Sequence, residues 1–156
     1  MKFLRLALAT VIVLSAFAFP GSECCAGEMR DGYYAAEADG YDDEGWKDFI
    51  TIYVSDNRIV NVEYDARNSC GFIRSWDLDY QRRAKAETGM YPGEYLRTYT
   101  DELLNRQDPF GVLVLAGAEW PHRVFQLLAG AAIAQAKIGD KSITLVDLTG
   151  IRAGNK

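Results

Sequence analysis

The chain has 156 residues, 49% of them apolar and 25% charged, which is enough to build one ordinary core and excludes a low-complexity or disordered class. Its formal charge of -5 excludes the basic face that nucleic acid demands and offers no polybasic segment for anionic lipid. Three cysteines and one histidine, His122, leave no Cys/His cluster with zinc-ligand spacing.

The first element is a targeting segment. Lys2 and Arg5 precede an apolar run over 6–19, interrupted only by Thr10 and Ser15, and small residues follow. That is the order of a secretory signal over 1–26, and the run is shorter than the ~20 residues of a membrane span. Cleavage fits near residue 18, after Ala16-Phe17-Ala18, or near residue 26, after Cys24-Cys25-Ala26. Lipid attachment favours a small residue before the cysteine. Cys24 follows Glu23 and Cys25 follows Cys24, so lipidation stays open only as an alternative. A cut at residue 18 removes Lys2 and Arg5, leaving 15 basic against 22 acidic residues, a net charge of -7. The expected location is exported: the periplasm or the outer face of the cytoplasmic membrane, with membrane association through the N-terminus.

Residues 33–38 read as a first strand, followed by a turn-rich acidic loop over 39–47. Residues 49–54 and 59–64 are rich in β-branched and aromatic side chains and flank a turn over 55–58, which predicts a β-hairpin. Strict alternation would bury Val60, Val62 and Tyr64 and expose Asn61 and Glu63. A loop over 65–75 holds Cys70. A helix is expected over 77–87, with Ser75 as N-cap and Gly89 past its end, and a second over 94–107 with a Tyr95, Tyr99, Leu103 stripe. Residues 110–115 read as a short buried strand. Pro121 suits the first position of a third helix whose buried stripe would be Val124, Leu127, Leu128, Ala131, Gln135 and Ile138. Residues 142–148 alternate as a last strand, and 149–156 read as a tail. The fold class is therefore α+β: a mainly antiparallel sheet with about three helices, in one domain over 31–148.

The opening segment Asp31-Gly32-Tyr33-Tyr34-Ala35-Ala36-Glu37-Ala38, the loop that follows through Trp46-Lys47-Asp48-Phe49, and the middle stretches Glu87-Thr88-Gly89 and Pro92-Gly93-Glu94-Tyr95 together resemble the FMN-binding domain family of bacterial envelope lipoproteins and extracytoplasmic electron-transfer proteins. The resemblance covers about residues 31–148. It implies a flavin site where a Ser-Gly-Ala-Thr sequence opens a helix, the threonine taking FMN as a phosphoester. The matching residues are Ala116, Gly117, Ala118 and Glu119, followed by Trp120. Gly117 and Ala118 match; Ala116 replaces the serine and Glu119 the acceptor threonine.

A carboxylate does not form that ester, so any FMN is expected to be non-covalent. Glu119 also brings negative charge to a helix N-terminus that would otherwise suit a phosphate. Two readings follow: a flavin-based electron-transfer component acting with a redox or envelope partner protein, or a flavin-free interaction module that keeps the fold. Neither is an enzyme, and neither has a metal site. Tyr41, Trp46, Trp76 and Trp120 are the aromatic residues available to stack on a flavin ring, or to pack in the core and at its rim.

Overall fold

The structure, a computed structural model, describes residues 27–152, so the targeting segment and its cleavage and lipidation readings lie outside the described residues. Three strands open the domain: β1 (Gly32–Ala38), β2 (Lys47–Ser55) and β3 (Arg58–Arg67). The β2–β3 turn uses two residues at positive φ, Asp56 at 51° and Asn57 at 59°. Asn and Asp tolerate that conformation, and two such residues match the twist of a tight hairpin. A short β4 (Thr144–Val146) completes a four-stranded sheet in the order β3-β2-β1-β4. The first three strands are antiparallel neighbours and β4 runs parallel to β1.

One sheet face carries the core. Tyr34, Ala36 and Ala38 of β1 alternate inward with Ile50, Ile52 and Val54 of β2. On the outer face Tyr33 stacks on its cross-strand partner Tyr53, with ring centroids 4.5 Å apart. In β3 the alternation breaks. Tyr53 pairs with Asn61 but Val54 pairs with Ile59, so Val60 is a bulge residue opposite no partner. The bulge turns Ile59 into the core at 2% exposure and Val60 out to 50%, reversing the expectation for Val60, while Val62 and Tyr64 keep the inward phase. Gln107 holds this irregular stretch: its Oε1 accepts the Ile59 N–H at 2.7 Å and its Nε2 donates to the Ile59 carbonyl at 2.9 Å.

The helices lie on the inner face: α1 (Leu78–Thr88), α2 (Pro92–Arg106), α3 (Glu119–Ile138) and a single turn, α4 (Thr149–Arg152). Their edges correct several expectations. Asp77, not Ser75, caps α1, accepting the N–H groups of Asp79 and Tyr80 at 3.0 and 2.9 Å. A 3₁₀ turn, Arg74–Trp76, takes up the stretch where the cap was expected. The third helix starts two residues early, so Pro121 is its third residue; a missing N–H costs nothing there, because the first-turn donors have no intrahelical acceptor. Its buried row is Val124, Phe125, Leu128, Ala129, Ala132, Ile133 and Ala136, while Leu127 and Ile138 are exposed. The alanines let the backbone approach β1 and β2 closely, which rotates the helix away from the predicted stripe.

Residues 110–115 do not form a strand. The edge of β1 is taken by β4, and the segment instead crosses between α2 and α3, beginning with a 3₁₀ turn, Pro109–Gly111. Only Val112 is buried; Phe110, Leu113 and Val114 are exposed. The Phe110 ring lies against Gly130, where an added Cβ would meet it at 3.5 Å. Past β4, Leu148 is buried and α4 continues where the tail was expected to begin. No described helix is long and apolar enough to cross a membrane.

Candidate functional site

The corner singled out in the sequence is held from beneath by two tyrosines. The Tyr99 hydroxyl donates to the Ala118 carbonyl at 3.1 Å and accepts the Leu115 N–H at 3.3 Å, and the Tyr64 hydroxyl donates to the Pro121 carbonyl at 3.2 Å. The Ala118 carbonyl also accepts the His122 N–H at 2.9 Å, the first bond of α3. These contacts set the position of the α3 N-terminus relative to α2 and β3.

A cavity of about 500 Å³ opens above that corner. This lies within the roughly 300–1,000 Å³ usual for small-molecule sites. Gly117, Glu119, Trp120 and Pro121 form one side; Tyr80, Ala84, Glu87 and Thr88 of α1, with Pro92 and Tyr95 of α2, form the other. Of the five residues named from the sequence, Gly117, Glu119 and Trp120 line the cavity. Ala118 is fully buried in the core beneath it, and Ala116 is exposed outside it. Gly117 has φ +84°, and a Cβ there would meet the Thr88 carbonyl oxygen at 2.7 Å. Glycine is required on both counts, and its absent side chain lets the loop close against the end of α1.

Glu119 satisfies the corner itself. Its Oε1 accepts the Gly117 N–H at 3.1 Å. Its own backbone N–H, together with that of Gly117, holds the carboxyl below the usual glutamate range. Tyr95 is buried at 6% exposure, which pushes its hydroxyl well above the ordinary tyrosine range. Burial also raises Tyr80, whose ring has Arg74 at 5.5 Å and Arg83 at 6.0 Å from its centroid. Neither arginine lines the cavity. Arg74 is 2% exposed and forms a buried ion pair with Asp48 at 2.9 Å, tying the start of α1 to β2.

The remaining candidates fall elsewhere. Trp46 is buried behind Tyr80, with ring centroids 6.0 Å apart, while Tyr41 and Trp76 are exposed and outside the cavity. His122 Nε2 lies 2.8 Å from the Val112 carbonyl oxygen, a structural contact. Asp42 closes its own loop by accepting the N–H groups of Glu44 and Trp46. Cys70 is an exposed free thiol. Tyr80, Glu87, Thr88 and Tyr95 were not foreseen as lining residues. Positions 80, 84, 87 and 88 do share one helical face, and that spacing was the available signal.

No family model matches the chain. The 15 kDa lipoprotein of Treponema pallidum (strain Nichols) is 31% identical to it over 137 residues, spanning 88% of this chain and 92% of that protein. Among solved structures, the CPE2226 protein from Clostridium perfringens superposes with a TM-score of 0.73 at 30% identity, over 77% of this chain and 98% of that one.

Proposed function

The chain belongs to the family of the Treponema pallidum 15 kDa lipoprotein, and from that premise we propose that it is an envelope-associated flavin-binding-type domain that serves electron transfer with a partner protein. The relative's name supports lipid anchoring through Cys24 or Cys25, in place of release after residue 18. The observation that carries the flavin reading is the cavity of about 500 Å³ at the 116–120 corner, flanked by Tyr80, Tyr95 and Trp120. Aromatic side chains there offer the stacking surface a planar ring requires.

The fit to FMN is partial. The ring system suits the aromatic sides. The covalent bond lacks its threonine, and the phosphate would meet Glu119 already seated on the N–H of Gly117. Redox chemistry resides in the flavin ring and not in the phosphate, so loss of the phosphate site leaves a carrier role intact. On this reading the protein is not an enzyme: the cavity is a cofactor berth with no separate substrate site.

A flavin-free module that keeps the fold to bind a partner is the second reading. Glu119 favours it, because its carboxylate already brings negative charge to the helix N-terminus and accepts the neighbouring N–H of Gly117. Visible absorption and intact mass of the protein taken from its own envelope separate the two. A flavin spectrum with no flavin-sized mass gain supports the carrier. Colourless protein of plain mass supports the partner-binding module. A flavin-sized gain would sink the non-covalent reading.

A further inference from the structure

The lining of the cavity is chemically one-sided. Its rings are Tyr80, Tyr95 and Trp120, and its carboxylates are Glu87 and Glu119, with no Lys, Arg or His among the lining residues. Glu119 is bound to the Gly117 N–H at 3.1 Å. A helix N-terminus attracts phosphate because its N–H groups lack partners and carry partial positive charge. Here the Glu119 carboxylate sits on the N–H of Gly117, just before the helix, and shares the cavity lining with a second carboxylate, Glu87. An incoming phosphate dianion meets like charge with no cation to offset it.

The cavity also offers an attractive group. Tyr95 lines it, is 6% exposed, and its hydroxyl has no hydrogen-bond partner among the described residues. A ligand carrying ring carbonyls or ring nitrogens supplies that partner, and Tyr80 and Trp120 supply aromatic faces.

We infer that the cavity selects a planar heteroaromatic ligand without phosphate, a riboflavin-type ring in place of a flavin nucleotide, with Glu119 as the residue that excludes the phosphate. This rests on the flavin reading of the same site and goes beyond it in ligand class. Specificity of this kind comes from repulsion of the competitor as much as attraction of the ligand.

The test is a titration of the folded exported chain with riboflavin and with FMN, read by quenching of flavin fluorescence. Riboflavin is expected to bind at least ~10-fold tighter than FMN, with the gap shrinking as salt screens the carboxylates. Glu119→Gln is expected to improve FMN severalfold and to narrow its gap to riboflavin. Tyr95→Phe is expected to weaken both, which a purely electrostatic exclusion would not produce. If Glu119→Gln fails to fold, Glu87→Gln removes the other carboxylate of the lining and carries the same comparison. FMN binding as tightly as riboflavin, or more tightly, overturns the exclusion and leaves the flavin reading standing. Binding of neither flavin overturns both.

Discussion

The cavity has two walls made of different physics. On one side α3 runs 20 residues and buries seven of them across β1 and β2. Its first turn is pinned again by the hydroxyls of Tyr64 and Tyr99. On the other side α1 runs 11 residues and buries none. It hangs from its ends: the Asp77 cap, the Gln81 Oε1 that accepts the Gly93 N–H at 3.4 Å, and Tyr80 lodged between Trp46 and Arg74. Apolar packing is non-directional and grows with buried area, whereas polar anchors act at a few atoms and fail singly. The α3 wall is therefore the fixed reference of the site and the α1 wall the one that yields.

The largest expected break is Arg74→Ala. Removing one partner of a buried ion pair leaves Asp48 desolvated without its guanidinium, at a cost of about 3–5 kcal/mol. Equilibrium urea unfolding measures it, and a loss under ~1 kcal/mol would show that the α1 side does not depend on this anchor. Next is Leu128→Ala on the fixed wall, a fully buried side chain whose truncation costs about 2–5 kcal/mol by the same measurement. Gly117→Ala strikes the seam between the walls. Its positive φ and the 2.7 Å approach to the Thr88 carbonyl predict a loss of about 1–3 kcal/mol. Because the clash is with α1, amide exchange should quicken in α1 before it does in α3.

Asp77→Ala is expected to cost about 1 kcal/mol. Its signature is local: exchange rises over Leu78–Thr88 while the buried half of α3 keeps its protection. Equal acceleration in both helices would erase the distinction between the walls.

The smallest effect is acid dependence. Burial pushes the Glu37 carboxyl up, but the hydrogen bond from Lys47 and the charge of Arg67 more than reverse this and leave it below its ordinary value of 4.5. Glu119 is lowered by its own N–H and that of Gly117. A carboxyl depressed in the folded state stabilises above its unfolded value, and that contribution is lost as pH falls through the folded one. Both groups therefore support the fold at neutral pH and withdraw support only in the acid range. Glu37→Gln should flatten the acid limb of the stability profile more than Glu119→Gln, because Glu119 is solvent-exposed.

Local chemistry makes much of the fold legible in the sequence. The hairpin followed from β-branched runs around Asp56-Asn57, and the order of strands and helices from where hydrophobic periodicity changes. Gly89 and Gly139 marked helix ends because each adopts the left-handed conformation there. Gly117, Glu119 and Trp120, singled out by the resemblance of a short stretch, lie at a cavity whose other lining comes from α1 and α2.

Where the reading failed, a distant partner decided. The bulge at Val60 adds a residue that alternation has no means to register, and it lies where Gln107, far along the chain, bonds Ile59. The 110–115 run is apolar enough for a strand but finds the edge of β1 already taken by β4. The buried face of α3 differs from the expected stripe because Phe125 and Leu127 are both apolar, and close packing of small residues on the sheet decides between them. The second wall of the cavity is the same lesson at the site. Tyr80, Glu87 and Tyr95 carry no motif of their own; they share a cavity with Glu119 because Gly117 lets its loop close on Thr88. Propensity and periodicity act between neighbours in the chain and are written there, whereas pairing, packing and cavity lining depend on which surfaces remain free once the other elements have docked.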